Sequence, residues 1–112
     1  MDLIYRVQDK DGRGPWKPGF SLNWVESRDD HENLHPWTYE FGPVHRYLLS
    51  GEYGGSGCLT EDQLRRWFTP SEYKTLIAYG YHAVKMRVNR ILASSPIQCV
   101  FGRAKPLTED IE

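Results

Sequence analysis

Arg6 is the one charged side chain in the apolar run LIYRV, and the chain then enters DKDGRGPWKPG, a turn dense in Asp, Gly, Arg, Pro and Trp. A guanidinium is a planar fork of donors suited to phosphate or carboxylate. The loop adds Arg13 between Gly12 and Gly14, and the Trp16 ring just beyond. Glycine backbone can cradle an anion, and an exposed ring can stack on a ligand ring. Arg6 therefore reads either as a ligand clamp or as a pin paired with Asp9 or Asp11. Trp16 either stacks on a ligand ring or covers the core. GRGP falls well short of the G-x-x-x-x-G-K-[ST] phosphate loop, so the ligand stays unnamed.

Other chemistry is thinner. His31 and His35 would share a face only on a helix, and Pro36 follows at once. Cys58, Cys99, His45 and His82 are scattered, whereas zinc wants three or four close ligands, so no metal is expected. Glu52, Asp62 and Glu72 lack a spacing that marks acid-base work, and Ser94-Ser95 is no nucleophile signature. Lys85, Arg87, Arg103 and Lys105 offer a basic face that suits a nucleic-acid backbone or plain solvent.

The 14 basic and 15 acidic side chains nearly cancel, so whole-chain charge selects no polyanionic partner. The charge is nonetheless segregated. Residues 80–106 carry five bases and no acid, while 26–40 and the last residues are acidic. Four Trp and seven Tyr are many for 112 residues and serve either a core or a binding surface. Two cysteines form no disulfide framework, and Cys99 reads as a small core residue. No apolar run approaches a membrane span and no signal peptide opens the chain, so a cytoplasmic setting is expected.

The elements that would position Arg6 follow from periodicity. Residues 3–8 alternate as a strand, and 9–19 are a loop stiffened by Pro15 and Pro18. FSLNW is a short helix or irregular, and SRDDHENLHP is polar loop. Pro43 to Gly51 permits one or two helical turns. GEYGGSG reads as a flexible break, too rich in glycine for regular structure. Thr60 to Gln63 is a capping box opening a helix, with Leu64, Trp67 and Phe68 on one face. Thr69-Pro70-Ser71-Glu72 opens a second helix with Tyr73, Leu76 and Ile77 as its buried stripe and Gly80 as its stop. Residues 82–88 switch to a two-residue period, with Val84, Met86 and Val88 on one face. Pro96 introduces a further strand, IQCVF. The expected fold is one α+β domain over residues 1–112, a small, mainly antiparallel sheet packed against two consecutive helices.

This order resembles the minimal ADP-ribosyltransferase-like fold. The likeness rests on Arg6 in IYRV on the first strand and on Gln98 in SPIQCVF at a late strand. It implies catalytic roles for Arg6 and Gln98, and an NAD site built from Arg6, Arg13 and Trp16. In that family the late residue is a Glu that holds a ribose hydroxyl and supports the glycosyl-cation-like transition state. Here glutamine keeps the hydrogen bonding without the charge, and no clear Ser-Thr-Ser triplet appears in the middle of the chain. The likeness thus implies a non-catalytic relative at least as readily as an enzyme.

Three functional readings stand. The first is a small regulatory or inhibitory protein, of the kind a mobile element carries, that contacts another protein through Arg13, Trp16, Trp24, Trp37 and Tyr53 and needs no cofactor. The second is an NAD-dependent ADP-ribosyltransferase. The third is a nucleic-acid-binding module using Lys85, Arg87, Arg103 and Lys105.

Overall fold

A computed structural model describes residues 1–112. Strand β1 (Asp2–Gln8) pairs antiparallel with β3 (His82–Val88), from Asp2 opposite Val88 to Gln8 opposite His82. Strands β2 (Tyr53–Gly57), β5 (Cys99–Arg103) and β4 (Arg90–Ser94) form a second antiparallel sheet in that order. The sheets are stitched together. Tyr5 and Cys58 exchange two backbone hydrogen bonds of 2.8 Å, and Asn89 N donates to Gly102 O at 3.1 Å. With helices α1 (Trp37–Phe41), α2 (Glu61–Trp67) and α3 (Pro70–Ala78), this is an α+β fold with small antiparallel sheets.

The strand periods place the core. On β3, Met86 and Val88 are buried while Lys85 and Arg87 face out. Ile4, Met86, Val88, Cys99 and Phe101 form one apolar cluster. Val7, Trp24, Leu64, Trp67 and Leu76 belong to a second, larger one. Because side chains alternate along a strand, β1 feeds both clusters, Ile4 into one and Val7 into the other.

Both helix starts form where their local signals lie. Thr69 Oγ1 accepts from Glu72 N at 3.2 Å, and Glu72 Oε1 accepts from Thr69 N at 3.0 Å, a complete capping box ahead of Pro70. At α2, Thr60 Oγ1 accepts from Gln63 N at 3.1 Å, but the Gln63 side chain reaches one residue further back and accepts from Leu59 N at 2.9 Å. Glu72 is fully buried and also accepts from Glu26 N at 2.9 Å, with Arg28 and His31 alongside. It thereby fastens the 24–34 segment to α3.

Four features depart from the sequence expectation. GEYGGSG is no flexible break, since Tyr53–Gly57 is a paired strand. Glycine is required there: a Cβ on Gly55 would lie 2.8 Å from Phe101 Cζ, and one on Gly57 2.8 Å from the Tyr5 carbonyl oxygen. Residues 90–94, where the sequence pattern predicts no element, form β4. Ile77 is 45% exposed, and Glu72 occupies the buried side of α3 with Leu76. The polar loop that follows FSLNW holds a 3-10 turn at His31–Asn33, and Trp37–Phe41 beyond it is helical; Ser21–Asn23 is a single 3-10 turn, within the short-helix alternative for FSLNW.

Candidate functional site

A cleft of about 640 Å³ opens where the first strand, the 9–19 loop and β2 meet. That volume suits a small-molecule ligand. Arg6 and Val7 come from β1, Gly14 to Trp16 from the loop, and Gly54 to Gly57 from β2. Trp37 and His45 add aromatic surface on one side, and Gln98 and Val100 close another. The glycines of β2 let that strand approach Leu48, Phe101 and the Tyr5 carbonyl closely, since a Cβ on Gly54, Gly55 or Gly57 would lie within 3.0 Å of them.

Arg6 is 8% exposed. Its Nε donates to Gln8 Oε1 at 2.8 Å, Nη1 to the Ser56 carbonyl at 2.6 Å and Nη2 to the Gly12 carbonyl at 2.8 Å. Three of the five guanidinium N–H groups are therefore engaged by protein. Burial lowers its pKa to about 10, and Asp9 opposes that shift, so it remains a cation at neutral pH. The sequence left open whether Arg6 clamps a ligand or pins the loop. It pins the loop through the Gly12 carbonyl rather than through Asp9 or Asp11, and it still lines the cleft.

Gln98 stands just ahead of β5 and is 5% exposed. Its Nε2 donates to the His35 carbonyl at 2.7 Å and to Glu40 Oε1 at 2.9 Å. Arg6 and Gln98 thus line one cleft, as does Trp16. Trp16 is 48% exposed, so it lids the core instead of filling it. It meets Trp24 edge-on at 4.6 Å between centroids and Trp67 at 6.0 Å. Trp37 also lines the cleft, with its ring 5.9 Å from that of His45.

The remaining candidates lie elsewhere. Arg13 is exposed, outside the cleft, and its backbone is held by Asp9, whose Oδ1 accepts from Arg13 N at 2.9 Å. Trp24 is 3% exposed and hydrogen-bonded through Nε1 to the Pro15 carbonyl, so it offers no surface to a partner. Tyr53, at the start of β2, is half exposed. Of the basic residues, Lys85 is exposed on β3, and Arg87 pairs with Glu112 at 3.4 Å. Lys105 pairs with Asp110. Arg103 is buried and donates to the carbonyls of Arg87, Pro106 and Asp110. The acidic C-terminal residues thus neutralise much of the basic face. Cys58 and Cys99 are buried free thiols, each pushed up to about 12 by burial.

Sequence reasoning missed Glu40, the His35 carbonyl and the glycine wall of β2. Only the glycine run left a signal, and it pointed to flexibility.

The fold and the cleft define a small α+β protein with an arginine-bearing, aromatic-lined pocket. The chain belongs to the family described as Bacteriophage T4 Y00F protein, which matches residues 1–110. No curated protein and no solved structure matches it.

Proposed function

We propose that this member of a phage protein family binds NAD in the Arg6–Gln98 cleft, as an ADP-ribosyltransferase-like protein. One observation carries the reading. Arg6 and Gln98, the two positions singled out by the resemblance, line a single cleft with Trp16. Arg6 supplies fixed positive charge beside the dinucleotide phosphates. Trp16 and Trp37 supply ring surface for nicotinamide or adenine. Gln98 offers hydrogen bonding to a ribose hydroxyl. In a transfer reaction, the bond between ribose and nicotinamide breaks and the acceptor nucleophile bonds to the ribose carbon, with nicotinamide leaving. Gln98 lacks the negative charge that stabilises the oxocarbenium-like transition state, so binding is retained more securely than turnover. The test is thermal unfolding with millimolar NAD, ATP or no ligand, since selective binding to the native state raises the midpoint. A rise with NAD alone supports the reading, and no rise at saturating NAD sinks it. Mass spectrometry of a target lysate then separates a transferase from a binder.

A second reading has its own observation. Tyr39, Tyr47, Leu49 and Tyr53 are exposed around α1, the following turn and β2. Exposed tyrosines of this kind favour a protein partner, and such a partner suits a small phage regulator or inhibitor. Loss of a co-purifying host protein on substituting Tyr47 and Tyr53 together would support it.

A further inference from the structure

Both N–H bonds of the Gln98 amide are used, one to the His35 carbonyl and one to Glu40 Oε1. A flipped amide would set its own oxygen against a backbone carbonyl and a carboxylate. The two acceptors therefore fix which end of the amide is which. The other end, Oε1, takes no hydrogen bond from the protein, yet it is not among the buried side-chain atoms left without a partner. Oε1 therefore keeps some solvent contact and an unused acceptor, on a residue that lines the cleft.

We infer that Glu40 is a positioning residue for this site. It holds the Gln98 amide so that Oε1 is presented to a ligand as an acceptor, which selects ligands carrying a hydroxyl or amino donor. That the donor is a ribose hydroxyl rests on the dinucleotide reading above; the orientation of the amide does not. Glu40 lies on α1, is partly buried and does not line the cleft, so it acts through Gln98. The arrangement also explains why glutamine suits position 98. A carboxylate there would face Glu40 Oε1 and a carbonyl oxygen with no proton between them, and like charges that close disfavour ionisation.

The test uses two substitutions in the full chain and two readouts. Glu40→Gln keeps an acceptor oxygen, and Glu40→Ala removes it. The first readout is solvent exchange of the Gln98 side-chain amide protons by NMR. We expect slow exchange in the wild type and Glu40→Gln, and fast exchange in Glu40→Ala. The second is NAD affinity by quenching of tryptophan fluorescence. We expect Glu40→Gln within about twofold of the wild type and Glu40→Ala weaker by about tenfold or more, the scale of one lost hydrogen bond. Slow exchange persisting in Glu40→Ala overturns the inference, as does Glu40→Gln failing as badly as Glu40→Ala. A wild type that binds no NAD defeats the dinucleotide reading instead, and the amide exchange then decides the orientation by itself.

Discussion

Arg6 Nη1 donates to the Ser56 carbonyl at 2.6 Å, which ties the first strand to the glycine-rich strand across the floor of the cleft. The same guanidinium holds Gly12 in the loop and Gln8 beside it. Arg6→Ala should therefore unfold more easily, by roughly 2–5 kcal/mol, because buried acceptors lose their donor. Arg6→Lys should recover only part of this, since an ammonium cannot span three divergent partners. Urea denaturation of the three proteins checks it. An Arg6→Ala midpoint equal to wild type would show that these contacts contribute nothing.

Trp16 and Trp24 touch, yet their substitutions should separate stability from binding. Trp24 is 3% exposed and Trp16 48% exposed. Trp24→Ala should cost about 3–5 kcal/mol, as core aromatics do. Trp16→Ala should cost less than about 2 kcal/mol, because half its ring already meets water, and should weaken NAD binding. Arg13→Ala, on an exposed residue outside the cleft, should change stability by less than about 0.5 kcal/mol. Denaturation midpoints and ligand titrations on the three variants give the comparison. A Trp16→Ala protein as damaged as Trp24→Ala would put Trp16 back in the core.

What could be read from the sequence was local. Thr69, Pro70 and Glu72 announce α3 because a capping box closes within four residues. Val84, Met86 and Val88 announce β3 because alternation is visible in a short window. The glycine strand was illegible because its conformation is imposed from outside: Phe101 and the Tyr5 carbonyl leave no room for a Cβ. Propensity saw freedom where packing demanded the smallest residue. Arg6 was legible as a candidate from its place in an apolar strand, and Gln98 only through the resemblance. Glu40 was not, since it meets Gln98 across 58 positions of chain and looks like any acidic loop residue.

Asp30 gives a pH prediction. Two hydrogen bonds from Arg66, at 2.7 and 3.0 Å, hold its pKa at about 2, below the ordinary 3.8. A depressed carboxylate binds fewer protons in the folded state than in the unfolded state. Its contribution is therefore present above the unfolded pKa and is lost as pH falls from about 4 toward about 2. Both side chains are solvent-accessible, so the effect on stability should be small and should shrink with salt. Arg66→Met should raise the Asp30 pKa toward its ordinary value. An NMR titration of the Asp30 carboxyl that is unchanged by the substitution would show that the ion pair does not form in solution.

The thiols should be silent in the native protein. Cys58 and Cys99 are 2% and 0% exposed, and burial pushes both up to about 12. Only the thiolate reacts readily, so alkylation at pH 8 should be slow until the chain unfolds. Labelling should rise in step with denaturation by urea. Fast modification of either cysteine in the folded state would mean that the β2–β5 region opens on its own.

The glycine wall offers the sharpest contrast, because two cleft glycines differ in what a methyl group would meet. A Cβ on Gly57 would sit 2.8 Å from the Tyr5 carbonyl oxygen, a backbone atom fixed by its pairing with Cys58. The strand cannot yield there without breaking the two Tyr5–Cys58 bonds that help to join the sheets. A Cβ on Gly14 would meet nothing nearer than Arg6 Nη2 at 3.9 Å, an ordinary contact. Gly57→Ala should therefore lose about 1–3 kcal/mol, the usual cost of forced overpacking. Gly14→Ala should stay near the wild type, or gain about 0.4–1 kcal/mol by restricting the unfolded chain. Both residues line the same cleft, so a loss of NAD binding shared by the two, with stability lost in only one, would separate the cleft's role from that of the sheet junction. Equal destabilisation by the two would mean that the approach of β2 to Tyr5 is looser than 2.8 Å implies.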